Sequence, residues 1–294
     1  SSDLDTIEVE KIEFSYRVER YFAQHLAQSL LYGYAKSVVG ENEADRKKFH
    51  RVITCLRAQI GQNVKIHKSI KHGKTFYSGL CTCGGVWVCP VCAAKIQARR
   101  TIEIQNLFQK AYKRQQDKDG NVFYTFGTQK QIAMLTLTFP HYIGDKLAYN
   151  LEKHAEALRI FRAFNGTDYI KFRNSIGYEG LVRSLEITHG QNGWHPHTHE
   201  LWVLDFWEED STREQEVKEY LLKRWEHACK KVGLLTEGNT KGFRENALHV
   251  AFRANDSDYT TKQNSANDVT WGADKEVACY HPKDAKKHGK ASFP

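Results

Sequence analysis

The sequence predicts an α+β protein, and three observations predict it. Strand-like apolar runs occur at 131–139, 181–189 and 197–206, and amphipathic helical stretches flank them. Only the turn-rich Gly190-Gln-Asn-Gly-Trp194 separates the second run from the third, so an antiparallel hairpin is the economical reading. A hairpin with helices before and after it gives a mixed class rather than alternating parallel units. At 294 residues and 40% hydrophobic, the chain has room for one large domain or two modest ones around a packed core.

Each element has its own warrant. Glu13–Val38 carries Val18, Phe22, Leu26 and Leu30 at helical spacing and reads as a helix ended by Gly40. Ala93–Lys113 reads as a second helix, and the polar Gln115–Gly127 as a connection that separates residues 1–115 from residues 128–294. Gln131–Phe139, rich in Leu, Thr and Phe and stopped by Pro140, is a buried strand. Asn150–Phe164 is an amphipathic helix, and Leu181–His189 with His197–Phe206 forms the hairpin. Ser211-Thr-Arg-Glu214 is a capping box opening a helix whose apolar face is Val217, Leu221, Trp225, Ala228 and Val232, with Gly233 as its stop. Ala247–Arg253 is a last short strand, and Asp258–Gln263 begins another helix.

Composition excludes several classes. The longest apolar runs, such as Leu201–Leu204, are far short of a membrane-spanning helix. Five Pro and 20 Gly without a low-complexity tract argue against collagen-like or largely disordered chains, and no repeat of solenoid period is visible. The opening Ser1-Ser-Asp-Leu-Asp5 has neither the basic flank nor the apolar segment of a secretory signal. Of seven cysteines, Cys81, Cys83, Cys89 and Cys92 cluster while Cys55, Cys229 and Cys279 are scattered, a pattern of a metal site in a reducing cytoplasm rather than a disulfide framework.

Charge is unevenly spread. Lys+Arg exceed Asp+Glu by 43 to 35, and between Arg46 and Ile102 there are 12 basic residues and no acidic one. The stretch Asp205–Tyr220 is by contrast acidic. Such asymmetry favours a polyanionic partner, although charge by itself also fits an ordinary basic face.

Two clusters carry chemistry. In Trp194-His-Pro-His-Thr-His-Glu-Leu-Trp-Val203, His197 and His199 leave the same face of a strand with Cβ atoms about 7 Å apart. Glu186, within Ser184-Leu-Glu-Ile-Thr188, shares that face if the hairpin pairs 186 opposite 199. Imidazoles and a carboxylate with open positions suit a divalent ion, Mn²⁺ or Mg²⁺, that must also accept a phosphate oxygen. His195 is a third member or a supporting partner. The plain alternative is that these histidines are surface residues.

Asp258-Tyr259-Thr-Thr-Lys262 places Tyr259 and Lys262 on one face of a helix. A phenol with a pKa of about 10 is a poor nucleophile, and a neighbouring ammonium and a metal-polarised phosphate would each ease its attack. The rival Tyr280-His-Pro-Lys283 contains Pro282, which disfavours helical geometry just before it, so Tyr259 ranks first.

Taken together, these segments resemble the HUH endonuclease superfamily, and specifically the replication initiator (Rep) proteins of plasmids that copy by a rolling circle. Ala133-Met-Leu-Thr-Leu-Thr-Phe-Pro-His141 is similar to the family's first motif. Glu186 with Gly193-Trp-His-Pro-His-Thr-His199 is similar to the second, Tyr259–Lys262 to the third, and Trp271-Gly-Ala-Asp-Lys-Glu276 to a downstream stretch. The resemblance implies a central antiparallel sheet bearing the two-histidine strand, with helices packed on it. It also implies sequence-specific nicking of single-stranded or hairpin plasmid origin DNA, a 5′-phosphotyrosine adduct, a free 3′-OH primer, and strand transfer.

In that light Glu186, His197 and His199 hold the metal, Tyr259 is the nucleophile and Lys262 assists with charge. Some single-tyrosine relatives carry a glutamate four residues before the tyrosine. Asn255 stands there, with Asp256 and Asp258 as nearby substitutes, so the way a round ends is open. Gly73-Lys-Thr75 has Lys68 where a P-loop needs its first glycine, so unwinding and synthesis fall to a host helicase and polymerase.

The cysteine cluster contains the knuckle Cys89-Pro-Val-Cys92, and Zn²⁺ asks for four ligands in a closed structural site. The resemblance implies Cys55, Cys83, Cys89 and Cys92, whereas proximity in sequence offers Cys81 in place of Cys55; His67 and His72 are weaker candidates. With the basic block around it, this reads as a zinc-stapled DNA-contacting region. The competing readings are a relaxase or transposase of the same superfamily, and a non-catalytic zinc-containing DNA-binding regulator whose histidines are structural.

Overall fold

In the computed structural model, the apolar run at 131–139 becomes the largely buried strand Lys130–Leu137 of a five-stranded antiparallel sheet. The structure describes residues 2–39, 49–70, 73, 75–116, 118, 122–126, 130–163, 167–254 and 290–292, with backbone alone for 2–17, 38–39, 112–116, 122–126 and 290–292. The chain divides into two compact units, Ser1–Arg99 and Arg100–Pro294.

The first unit begins with a long helix, α1 (Ser2–Val39), and continues through a single 3₁₀ turn (Arg51–Thr54). An antiparallel hairpin, β1 (Lys65–Lys68) and β2 (Thr75–Ser78), follows, and then the first turns of α2 (Pro90–Ala111). Its core is small: Val52, Cys55, Cys83, Cys89, Val91 and Cys92, with Leu31 and Ile53 packed against it.

The face of α1 that looks inward is not the expected one. Phe22 is 71% exposed and Leu30 65%, whereas Gln24 and Gln28 are buried. The reason is hydrogen bonding. The Gln28 side-chain amide donates to the carbonyls of Val52, which also accepts from the Cys55 backbone N–H, and of Cys55, and leaving that polar amide buried without partners would cost more than exposing a leucine.

The second unit carries the sheet. After α2, β3 (Tyr112–Gln116) and β4 (Val122–Phe126) pair antiparallel, so the stretch expected to be a polar connection instead contributes to two paired strands. The main sheet has the order β8-β5-β7-β6-β9, all antiparallel, from β5 (Lys130–Leu137), β6 (Gly180–Gly190), β7 (Gly193–Asp205), β8 (Leu248–Ala251) and β9 (Lys290–Ser292). Helices α3 (Leu147–Phe161), α4 (Thr167–Ser175), α5 (Ser211–Val232) and α6 (Thr240–Asn246) complete it, α4, α6 and β9 being elements the sequence had not marked.

Alternation decides what each face does. Ala133, Leu135 and Leu137 with Trp202 and Leu204 pack on Ala157, Leu158 and Phe161 of α3 and on Val217, Leu221 and Trp225 of α5. On the other face Ile132, Met134 and Leu201 meet Ile104, Phe108 and Ala111 of α2. Trp225 is fully buried with its indole N–H donating to the Thr138 carbonyl, 2.7 Å away, so truncating it to alanine would cost about 3–5 kcal/mol.

The expected capping box shifts by one residue. Asp210, not Ser211, is the N-cap of α5, its Oδ1 accepting from the backbone N–H of Thr212 and Arg213. A carboxylate is the better acceptor at the positive end of a helix, and Glu214 is drawn away to Arg253 at 2.6 Å. Gly233 ends the helix in the left-handed conformation, as expected.

Candidate metal centres

The β6–β7 hairpin closes on a two-residue turn, with Gly190 opposite Gly193, and this fixes the register. Glu186 therefore stands opposite His197, while His199 faces Ser184 on one side and Thr136 of β5 on the other. The expected pairing of 186 with 199 is thus wrong by two residues. A two-residue slip preserves the face, so Glu186, His197 and His199 still converge. Gly193 is needed at the turn: its φ is +83°, and a Cβ there would lie 2.8 Å from the Tyr142 carbonyl oxygen.

The three ligand atoms meet tightly. Glu186 Oε2 is 2.8 Å from His197 Nε2 and 3.2 Å from His199 Nε2, and all three lie within 4.8 Å of one another. The other ring nitrogens are held from behind. His197 Nδ1 lies 3.3 Å from the His195 carbonyl oxygen, which can only accept, so Nδ1 carries the hydrogen. In the neutral ring Nε2 then presents a lone pair to a carboxylate oxygen, an arrangement that asks for a cation between them. His199 Nδ1 is 3.0 Å from the Thr136 hydroxyl, which orients that ring in the same sense. The donor set, two imidazoles and one carboxylate, fits a divalent ion with open positions.

His195 is not one of the converging ligands. Its ring stacks on His197 at 4.8 Å and on His141 at 4.3 Å, the latter pair nearly parallel at 10°. Of the two readings of His195, the supporting one holds, through its backbone carbonyl, while Thr136 is a supporting group that the sequence reading missed. Strand parity places 136 on the face of His199 once the β5–β7 pairing is known, and that pairing is not written in either strand.

Behind the sheet, His154 of α3 is buried beside Thr198, its Nε2 3.3 Å from the hydroxyl. Burial, reinforced by the neighbouring charges of Arg162 and Arg183, holds its pKa down to about 3 from 6.5, so it is a neutral core histidine.

Tyr259 and Lys262 lie outside the described residues, as do Asn255, Asp256, Asp258, the rival Tyr280 and Lys283, the 271–276 stretch and Cys279.

In the first unit Cys55, Cys83, Cys89 and Cys92 come together, all buried. Their sulfurs are 3.8 Å apart for Cys55–Cys89, 3.5 Å for Cys55–Cys92 and 3.7 Å for Cys83–Cys92. A tetrahedral Zn²⁺ with Zn–S of 2.3 Å has ligand edges of about 3.8 Å, so the cluster could hold zinc. The 3₁₀ turn brings Cys55 from far upstream, and Leu56 just after it is held in a left-handed conformation at φ 58°. Cys81 sits instead beside the Thr54 hydroxyl at 3.9 Å. His67 is also apart, its Nε2 2.7 Å from the Ser78 hydroxyl, and His72 lies outside the described residues.

The sulfurs have donors of their own. The backbone N–H of Cys83 points to Cys55 Sγ, that of Gly85 to Cys83 Sγ and that of Cys92 to Cys89 Sγ, while the Gln24 amide reaches Cys89 Sγ at 3.2 Å. Such bonds stabilise thiolates around a cation. With the thiols packed together, burial pushes Cys83 up to about 11 and raises Cys55 as well, whereas the hydrogen bonds at Cys92 lower it.

Residues 80–225 match the family model described as replication protein. Among curated proteins, the chain is 32% identical over 157 residues to the "Protein rep" of Streptomyces lividans, covering 45% of this chain and 31% of that one. It is 26% identical over 196 residues to a "Neomycin resistance protein" of Streptomyces cyanogenus, covering 56% of this chain and 42% of the other. The chain thus spans between about a third and two fifths of the relatives' own length. No solved structure matches it. Holding the cysteine knuckle, both histidines and Glu186, the matched segment, about half of the chain, is that of a replication protein (Rep).

Proposed function

We propose that this chain initiates plasmid rolling-circle replication by sequence-specific, metal-dependent nicking of single-stranded or hairpin origin DNA, with residues 128–294 as the HUH catalytic domain. The observation that carries the reading is the convergence of Glu186 Oε2 with His197 Nε2 and His199 Nε2, each ring held from behind. A divalent ion such as Mn²⁺ or Mg²⁺ at that point would draw charge from the non-bridging oxygens of the scissile phosphate.

The chain's residues do the rest. The phenolic oxygen of Tyr259 attacks phosphorus in line, the P–O3′ bond breaks, and the proton lost from the phenol is balanced by the one gained at the 3′ oxygen. The products are a 5′-phosphotyrosine and a free 3′-OH. One phosphodiester is exchanged for another, so no ATP is consumed, and a later 3′-OH attack reverses the step as strand transfer. Lys262 offsets charge on the phenolate.

Residues 1–115 form the DNA-contact region, stapled by zinc on Cys55, Cys83, Cys89 and Cys92. In support, the β1–β2 hairpin exposes Lys65, His67, Lys68, Phe76 and Tyr77, a basic and aromatic surface suited to nucleic acid. Host helicase and polymerase would extend the primer in the cytoplasm.

The test is an adduct assay with Mn²⁺ and a single-stranded origin oligonucleotide. Wild type should form a covalent complex that Tyr259→Phe and His199→Ala lack. If Tyr280→Phe abolishes the complex and Tyr259→Phe retains it, the nucleophile is misassigned; if no divalent ion supports cleavage, the chain is a DNA-binding regulator instead.

A further inference from the structure

Glu186, His197 and His199 use one face of the sheet; their sequence neighbours Leu185 and Thr198 leave from the other. On that second face, a cleft of about 440 Å³ opens between α3 and the strands β6 and β7. Leu151, Leu158 and Leu185 give it an apolar wall, and Arg159, Arg162 and Arg183 line it with guanidinium groups. No acidic residue is among its lining residues.

The positive charge is only partly compensated. Arg162 sends Nη2 to the buried carboxylate of Glu200, which also accepts from the Trp202 indole N–H, so that acid is already shared. Arg162 Nε is buried and has no hydrogen-bond partner. Burial, followed by the nearby charge of Arg183, draws the Arg162 pKa down to about 10. His154 on the same wall is neutral and adds a polar ring beside the Thr198 hydroxyl rather than another charge.

Guanidinium groups in a fork favour planar or tetrahedral oxyanions, and an apolar wall beside them favours a ligand with an uncharged ring. The volume is within the range of small-molecule sites. We propose that this cleft is a nucleotide site, taking a nucleoside 5′-monophosphate unit with its phosphate on Arg159, Arg162 and Arg183 and its base and sugar against the leucines. A free nucleotide and the 5′-phosphorylated end of a single strand present the same chemistry. The site needs neither the metal nor Tyr259, so it stands or falls apart from the nicking reaction.

The test is calorimetric titration of the full chain with deoxyadenosine 5′-monophosphate at low salt, without added divalent metal. One saturable site is expected, with deoxyadenosine and inorganic phosphate each binding more weakly. Arg159→Gln combined with Arg183→Gln, both at the exposed rim, should weaken binding about tenfold or more through lost charge-assisted contacts. Ala155→Phe, which fills the mouth from α3, should abolish it with the circular dichroism spectrum unchanged.

A 5′-phosphorylated oligo-dA that competes with the nucleotide identifies a strand end as ligand, and one that does not compete identifies the free nucleotide. The proposal is overturned if neither probe binds, or if the arginine double variant and Ala155→Phe both bind them as wild type does.

Discussion

Glu186 faces His197 directly across the β6–β7 ladder, with 2.8 Å between its Oε2 and the imidazole Nε2. The contact joins two groups that both point electron pairs at the same spot, and the surroundings keep them there. The Thr136 hydroxyl behind His199 is part of that restraint. Thr136→Val keeps the shape and removes the oxygen, so Mn²⁺ affinity should fall about 10- to 100-fold, the usual cost of losing such support. Electron paramagnetic resonance titration of free Mn²⁺ measures it; unchanged affinity in the variant would remove Thr136 from the site.

Zinc content should separate the cysteines. Cys55→Ser is expected to lose the metal and Cys81→Ser to keep it, as read by elemental analysis of the purified chains. Because burial raises Cys55 and Cys83, those two thiols hold protons that a cation must displace. Zinc affinity should therefore weaken as pH falls, and a competition titration with a chromogenic chelator that showed no pH dependence would contradict thiolate ligation.

The β1–β2 hairpin offers a way to tell charge from stacking. Replacing Lys65 and Lys68 by alanine should flatten the dependence of log affinity on log salt by about 0.7 per lost phosphate contact on single-stranded DNA. Phe76→Ala and Tyr77→Ala should instead cost about 1–3 kcal/mol for each base unstacked and leave the salt slope alone. Fluorescence anisotropy at several salt concentrations reads both, and binding unaffected by all four changes would place the DNA elsewhere.

His154 predicts a pH dependence of stability. Its folded pKa, about 3, lies below the ordinary 6.5, chiefly through burial. Between those values the unfolded chain binds a proton that the folded chain does not, so stability rises with pH there: it is fully present above 6.5 and is lost as pH falls towards 3. The contribution is about 1.4 kcal/mol per pH unit within the window. Urea midpoints at pH 7 and pH 5 should converge in His154→Leu relative to wild type, and an equal loss in both chains would show that the imidazole is already charged in the fold.

Much of the site is legible in the chain itself. The alternation of His197 and His199 is a local property of an extended backbone, and Glu186 joins their face for any slip of the hairpin by an even number of residues. For the same reason the helix Ser211–Val232 could be read with its buried stripe, since Val217, Leu221, Trp225, Ala228 and Val232 repeat at a helical period and Gly233 stops it.

What only the tertiary structure decided is which distant groups meet. The two-residue turn chose His197 as the partner of Glu186, and the β5 pairing placed Thr136 behind His199. Cys55, not Cys81, completes the sulfur cluster because a 3₁₀ turn carries it there, and the Val52 and Cys55 carbonyls at that turn give the buried Gln28 amide its partners while Phe22 and Leu30 stay in water. Periodicity reports the direction of each side chain along one element; hydrogen-bond satisfaction between elements is a non-local condition, and it outweighed the apolar pattern where the two disagreed.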